Sequence, residues 1–150
     1  RRLFRDAAMS VHDRLPGDGR SIGDALLEPT AIYVRPVMKI LRRHEVHGMA
    51  NITGGGVRNL LRLKPSVEMR ITDPMPVPSI FPAIQNLAGI AEEEMYQTFN
   101  MGMGYAIVAP ADEAKGIVRD LQPLRASVVG TVLRGRGVTI PAKALKYTRY

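Results

Sequence analysis

The 150-residue sequence contains no cysteine, which excludes both a disulfide framework and a thiolate metal site. It has no tryptophan and only three phenylalanines and five tyrosines, two of the tyrosines within the last ten residues. Nucleic-acid-binding modules interleave basic groups with stacking aromatics. So thin an aromatic supply argues against that class, despite a net charge of +7. No apolar run approaches the ~20 residues needed to span a bilayer, so no membrane partner is expected. The opening Arg1-Arg2-Leu3-Phe4-Arg5 carries neither an initiator methionine nor a signal-peptide core. It reads as the middle of a helix, and the expectation is a fragment of a longer polypeptide whose partner sequence lies upstream.

What is present is ordinary for a globular domain: 45% hydrophobic and 23% charged residues, in a chain long enough to bury one core without staples. The positive excess is uneven. Residues 101–150 carry eight basic and three acidic groups, and from Arg134 onward there are five basic residues and no acid. That stretch reads either as a solvated basic tail or as a surface for an anionic partner.

Leu3, Phe4, Ala7 and Ala8 recur at helical spacing, and Pro16-Gly17-Asp18-Gly19 ends that helix. Ser21 is placed to cap a short helix through Leu27, and Val34–Arg43 forms another, with Pro36 tolerated in its first turn. Val46–Ile52 reads as a buried strand, Val57–Leu63 as a helix and Val67–Ile71 as an alternating strand. Four prolines make Asp73–Pro82 a loop that leads into a helix from Ser79 to Leu87. A further helix starts at Ala91, its glutamates favoured by the amino-terminal dipole. Tyr105–Val108 is a strand, Asp112–Leu121 a helix capped by Asp112, Ser127–Leu133 a strand, and Arg134–Gly137 a turn into Val138–Ile140. The last ten residues show no period and read as a tail without regular structure. Alternating strands and helices predict an α/β fold with layered packing. Tyr105–Leu133 reads as one strand–helix–strand crossover, which would be right-handed.

Two glycine runs carry the chemistry. Thr53-Gly54-Gly55-Gly56 falls between a strand and a helix. Backbone without β-carbons can approach an anion closely, and a helix start presents unpaired N–H groups. Thr53 adds a hydroxyl and Arg58 a full charge, so the loop is either a phosphate cradle or a tight turn packed on a neighbour. It is neither a Walker A sequence nor a dinucleotide fingerprint. In Thr98–Gly104, Gly102 and Gly104 alternate as on a strand face that a ligand or another backbone can approach, with Asn100 on the same face. His12, His44 and His47 lack metal-ligand spacing, so no metal site is expected on this chain. His47 alone in a strand is more often a hydrogen-bonded core group than a catalyst.

The runs Val46–Gly56 (VHGMANITGGG) and Glu94–Gly104 (EMYQTFNMGMG), with Gly23–Val34 (GDALLEPTAIYV) before them, resemble the aminoimidazole ribonucleotide synthetase family, also called phosphoribosylformylglycinamidine cyclo-ligase. Order and spacing of all three match, and the resemblance covers roughly residues 1–140, leaving 141–150 as a basic tail. It implies the carboxy-terminal half of a two-domain cytoplasmic homodimer, a three-layer α/β/α domain with a mixed sheet, partly ferredoxin-like. The amino-terminal half, with its motif for ATP and Mg, is absent from this sequence. The implied reaction is ATP-driven closure of formylglycinamidine ribonucleotide to aminoimidazole ribonucleotide in purine biosynthesis. The amide oxygen is phosphorylated, the amidine nitrogen attacks the imidate carbon, and phosphate leaves. The phosphorylated ribonucleotide would be gripped by Thr53, Gly54, Gly55, Gly56 and Arg58, with Asn100, Gly102 and Gly104 adding contacts.

His47 and Asn51 would be the catalytic candidates, sharing with Thr53 a floor beneath the glycine loop. The family commonly reads HGMAHITGGG, and this chain has Asn51 in place of the second histidine. A carboxamide hydrogen-bonds but exchanges no proton near neutral pH. The alternative is a related superfamily member of the selenophosphate synthetase, thiamine monophosphate kinase or hydrogenase maturation type, or a non-catalytic paralogue.

Overall fold

The computed structural model describes Phe4, residues 8–64 and residues 66–150. Leu3 and Ala7 of the expected opening helix lie outside the described residues. Phe4 is helical, and Ala8 is not.

Five α-helices are used below: α1 (Ile22–Leu26), α2 (Val34–Leu41), α3 (Ile80–Ala88), α4 (Glu92–Thr98) and α5 (Ala114–Asp120). The strands are β1 (Gly48–Asn51), β2 (Val67–Ile71), β3 (Tyr105–Val108), β4 (Gly130–Arg134), β5 (Gly137–Ile140) and β6 (Leu145–Tyr147). The fold is mixed α/β, as the alternation predicts. β4-β2-β5-β6 form a mixed sheet in which β2 runs antiparallel to β4 and parallel to β5. β1 and β3 form a separate antiparallel ladder, Gly48 opposite Val108 and Asn51 opposite Tyr105.

That split corrects the expected crossover. β3 and β4 flank α5 in sequence but belong to different sheets, so Tyr105–Leu133 is not a strand–helix–strand unit of one sheet. The tail expectation is corrected too. Residues 141–147 form a 3₁₀ turn, Pro141–Lys143, and then β6, which pairs with β5. A three-residue strand is too short to show a period, yet Tyr147 is buried and its hydroxyl donates to the Glu93 carbonyl at 2.8 Å.

The main core lies between the mixed sheet and the segments crossing it. Met69 and Ile71 of β2, Val138 and Ile140 of β5, and Met95 and Tyr96 of α4 meet Ile52, Val57 and Leu60 there. On β5, Val138 and Ile140 share one face and are fully buried. Removing a side chain of that size from water stabilises by about 1.5–3 kcal/mol. A second cluster packs Ile40 of α2 against Ile117 and Leu121.

Local signals set several ends. The Ser21 hydroxyl accepts from the Asp24 amide at 3.0 Å and caps α1 as expected. Gly89, at φ +59°, closes α3 in the left-handed conformation. The three glutamates of the first turn of α4 sit where the dipole favours them. Asp112 does not cap α5. Glu113 holds the cap position without a capping bond, its carboxylate lying 2.7 Å from Nδ1 of His44.

Candidate functional site

The glycine run leaves β1 and enters a helix as expected, one of 3₁₀ type over Gly56–Arg62. Val57 and Leu60 are buried three residues apart, a spacing that three residues per turn brings onto one side. The three glycines have different surroundings. Gly56 has φ +53°, and a β-carbon on it would collide with the Tyr96 carbonyl oxygen of α4. Its own amide donates to the Thr53 carbonyl at 2.8 Å. Gly56 is thus the close-packed turn. Gly54 has nothing within 4 Å of its β-carbon position, whereas that of Gly55 lies 2.6 Å from the Tyr150 hydroxyl. Among the described residues no acceptor pairs with the Gly54 and Gly55 amides.

Asn59, which sequence reasoning missed, fixes the loop from inside. It is 3% exposed, and its Oδ1 accepts from the Thr53 amide at 3.2 Å. The signal available was a carboxamide three residues into a helix start, next to Leu60 and Leu61. Arg58 spans from the loop to α4, its Nη2 donating to the Gln97 carbonyl at 3.3 Å. Its Nε is buried without an acceptor among the described residues. Nearby, burial pushes the Tyr147 phenol up to about 12, and Glu93 adds to the shift. Lys143 is held above the ordinary lysine range by its hydrogen bond to Glu92.

The second run is a turn, not the expected strand face. Met101 has φ +47° and Gly102 φ +93°, so Gly102 and Gly104 do not alternate across a pleat. The Asn100 Oδ1 accepts from the Gly102 amide at 3.0 Å, using a short side chain to close a turn rather than to face a ligand. A β-carbon on Gly102 would strike the Pro76 carbonyl, and one on Gly104 the Tyr33 hydroxyl. Both glycines are therefore positions of close approach by protein.

These contacts bring the three sequence motifs together. Tyr33 lies on Gly104 and its ring stands 5.1 Å from that of Tyr105. The Ile52 amide donates to the Gly104 carbonyl at 3.0 Å, so the exit of β1 is tied to the entry of β3. Asn51, at that junction, has an exposed side chain. His47 does not join them. It precedes β1, at the end where its amide meets the Val108 carbonyl, and its exposed ring pairs with Glu45 at 2.8 Å. Four residues of extended chain separate it from Asn51 by about 13 Å, and Thr53 lies beyond the strand's end. The expected floor of His47, Asn51 and Thr53 is therefore not formed. Among the described residues no three His, Asp or Glu side chains are grouped to hold a metal ion.

A mixed α/β domain with a tight glycine loop beside a strand junction defines the class. The model of the AIR synthase related protein C-terminal domain matches residues 6–143, and the chain belongs to that family. It is similar to the phosphoribosylformylglycinamidine cyclo-ligase of Methanopyrus kandleri, 50% identical over 131 residues covering 87% of this chain and 38% of the relative. The enzyme of that name from Methanothermobacter thermautotrophicus is 44% identical over 148 residues, covering 95% of this chain and 42% of the relative. The chain thus spans about two-fifths of the curated relatives it matches. Among solved structures, a thiamine-monophosphate kinase from Stenotrophomonas maltophilia shares the fold, with a TM-score of 0.58 at 17% identity over 96% of this chain and 46% of that one.

Proposed function

We propose that this chain is the carboxy-terminal part of an ATP-dependent cyclo-ligase that converts formylglycinamidine ribonucleotide to aminoimidazole ribonucleotide. The observation that carries the proposal is the 50% identity with a protein of that name across 87% of the chain. The geometry is in keeping with it. The open Gly54, the Gly54 and Gly55 amides and the Arg58 Nε, which have no acceptors among the described residues, lie along one loop. Together they supply donors for a phosphate, here the ribose phosphate of the substrate. Asn51, exposed at the adjoining strand end, orients the substrate without exchanging a proton. Gly56, Gly102 and Gly104 contribute shape, since each is already filled by protein.

ATP and Mg belong to the proposal as ligands of an amino-terminal part. Near the loop Glu92 is engaged by Lys143 and the Glu93 carbonyl by Tyr147, and among the described residues no three acidic or histidine side chains are grouped to hold the ion. A cytoplasmic homodimer completes the reading on grounds of family. Among the described residues no helix is long and apolar enough to cross a membrane.

The test is an assay with ATP and formylglycinamidine ribonucleotide. The chain alone should give no turnover, and the chain mixed with the amino-terminal part of a curated relative should give it. Turnover by the chain alone refutes the division of labour. Its absence from a folded, associated mixture refutes the reaction.

A further inference from the structure

Beyond β6 the chain returns over the 3₁₀ helix, and Tyr150 comes to lie on the glycine loop. A β-carbon on Gly55 would stand 2.6 Å from the Tyr150 hydroxyl and 3.0 Å from its ring. The Arg62 guanidinium is 3.9 Å from the ring centroid and that of Arg58 is 5.4 Å away. Gly54, one residue earlier, is uncovered. The ring therefore covers one of the two loop residues whose amides lack acceptors, and it engages the arginine proposed to meet the phosphate.

The hold on this ring is weak by construction. Tyr150 is 56% exposed, so little apolar burial secures it, and cation–π contacts at exposed positions are modest. The segment is firm only at its root, where Tyr147 is buried and hydrogen-bonded to Glu93. An anion offers a guanidinium charge-assisted hydrogen bonds, which are stronger than an exposed ring face. Arg58 and Arg62 can serve the ring or a phosphate more readily than both at once.

We infer that Tyr150 is a gate on the glycine loop: a phosphorylated ligand displaces its ring from Gly55 and draws Arg58 and Arg62 from the aromatic face onto the phosphate oxygens. The inference rests on the loop holding a phosphate. Its consequence is a lowered affinity: a site closed for most of the time lowers the apparent affinity of every ligand that needs it open, by the open fraction.

The experiment compares the chain with its Tyr150→Ala and Arg62→Gln variants by amide NMR. Without ligand, exchange of the Gly55 amide should rise on the order of fivefold in Tyr150→Ala, as expected for loss of two exposed cation–π contacts, while Gly54 stays unchanged. Inorganic phosphate, followed at the Gly54 and Gly55 amides, should bind Tyr150→Ala more tightly by a similar factor. Ribose 5-phosphate, which needs the same open loop, should gain by the same factor. Arg62→Gln should free the ring yet weaken phosphate. Equal exchange and equal phosphate affinity in Tyr150→Ala and the parent overturn the gate while leaving the phosphate loop standing. A rise in Gly55 exchange with no phosphate response in either protein overturns the phosphate loop instead, and with it the displacement. Tighter phosphate binding by Arg62→Gln overturns the transfer of that arginine.

Discussion

Alanine placed at each glycine of the loop in turn separates packing from ligand binding. At Gly56 the new side chain meets two penalties. A left-handed backbone costs an L-residue about 1–2 kcal/mol, and φ here is +53°. The β-carbon would also overlap the Tyr96 carbonyl oxygen and lie 2.8 Å from the Gln97 carbonyl carbon. These are backbone atoms of α4 beside its buried Met95 and Tyr96, so α4 must shift, and overpacking of that kind costs typically about 1–3 kcal/mol. Gly56→Ala should therefore lose about 2–5 kcal/mol. At roughly 2–4 °C per kcal/mol for a chain of this size, the midpoint of thermal unfolding should fall on the order of 10 °C. Gly54→Ala meets no atom within 4 Å, and its φ lies outside the left-handed region. It should be neutral, or stabilising by about 0.4–1 kcal/mol through the unfolded chain. Gly55→Ala meets only the tip of Tyr150, and should change stability by less than about 0.5 kcal/mol. Circular dichroism melts of the three variants provide the assay. A Gly56→Ala midpoint within about 1 °C of the parent, or a Gly54→Ala loss as large as that at Gly56, refutes the packing argument.

Three further outcomes are expected. Asn59→Ala leaves the Thr53 amide without its buried acceptor and should cost about 1–3 kcal/mol in urea denaturation; a loss below about 0.5 kcal/mol counts against Asn59 as the internal brace. Tyr147 has a folded pKa of about 12 against an ordinary 10.0. Its contribution is thus complete below pH 10 and is lost as pH rises from about 10 to 12, because the unfolded chain ionises first. Tyr147→Phe should flatten the melting-temperature profile over that window, and an unchanged alkaline slope shows that burial is not raising this phenol. Asn51 is exposed, so Asn51→His should melt within about 1 °C of the parent and should preserve or raise turnover in the reconstituted enzyme. General acid–base help reaches about 10²–10⁴ in rate at most, and a tenfold fall would show instead that the carboxamide is required.

The β2 and β3 spans were legible because their residues follow the period or composition that their surroundings demand. Met69 and Ile71 alternate inward, and Tyr105–Val108 is a short apolar run bounded by glycine. α2 was legible for the same reason, with Val37 and Ile40 on its buried side. What stayed hidden was decided by partners far away in sequence. Nothing near Gly102 announces that Pro76 lies against it, so a GMG run that alternates on paper is a turn in space. β3 and β4 look like neighbours across α5 until β1 and β2 claim them separately. At the site, the loop and Arg58 could be read from residue type. Tyr150 and Tyr33 could not, because each acts through a contact far away in sequence that no local pattern records.

The ladder connectivity also dictates an order of assembly. β1 with β3, β2 with β4, and β2 with β5 join residues 54 to 69 positions apart, while among the named strands only β5 and β6 meet across a short turn. Closing long loops is slow relative to local pairing. The β5–β6 hairpin is accordingly the one piece of sheet able to form before the chain has folded back on itself, and β2 then docks along its free side. Synthesis from a ribosome delivers that hairpin last. β1 can already pair with β3 and β2 with β4, so it is the remaining edge of β2 that waits for the hairpin, and truncations near residue 140 should leave that edge open and aggregate rather than merely melt at a lower temperature.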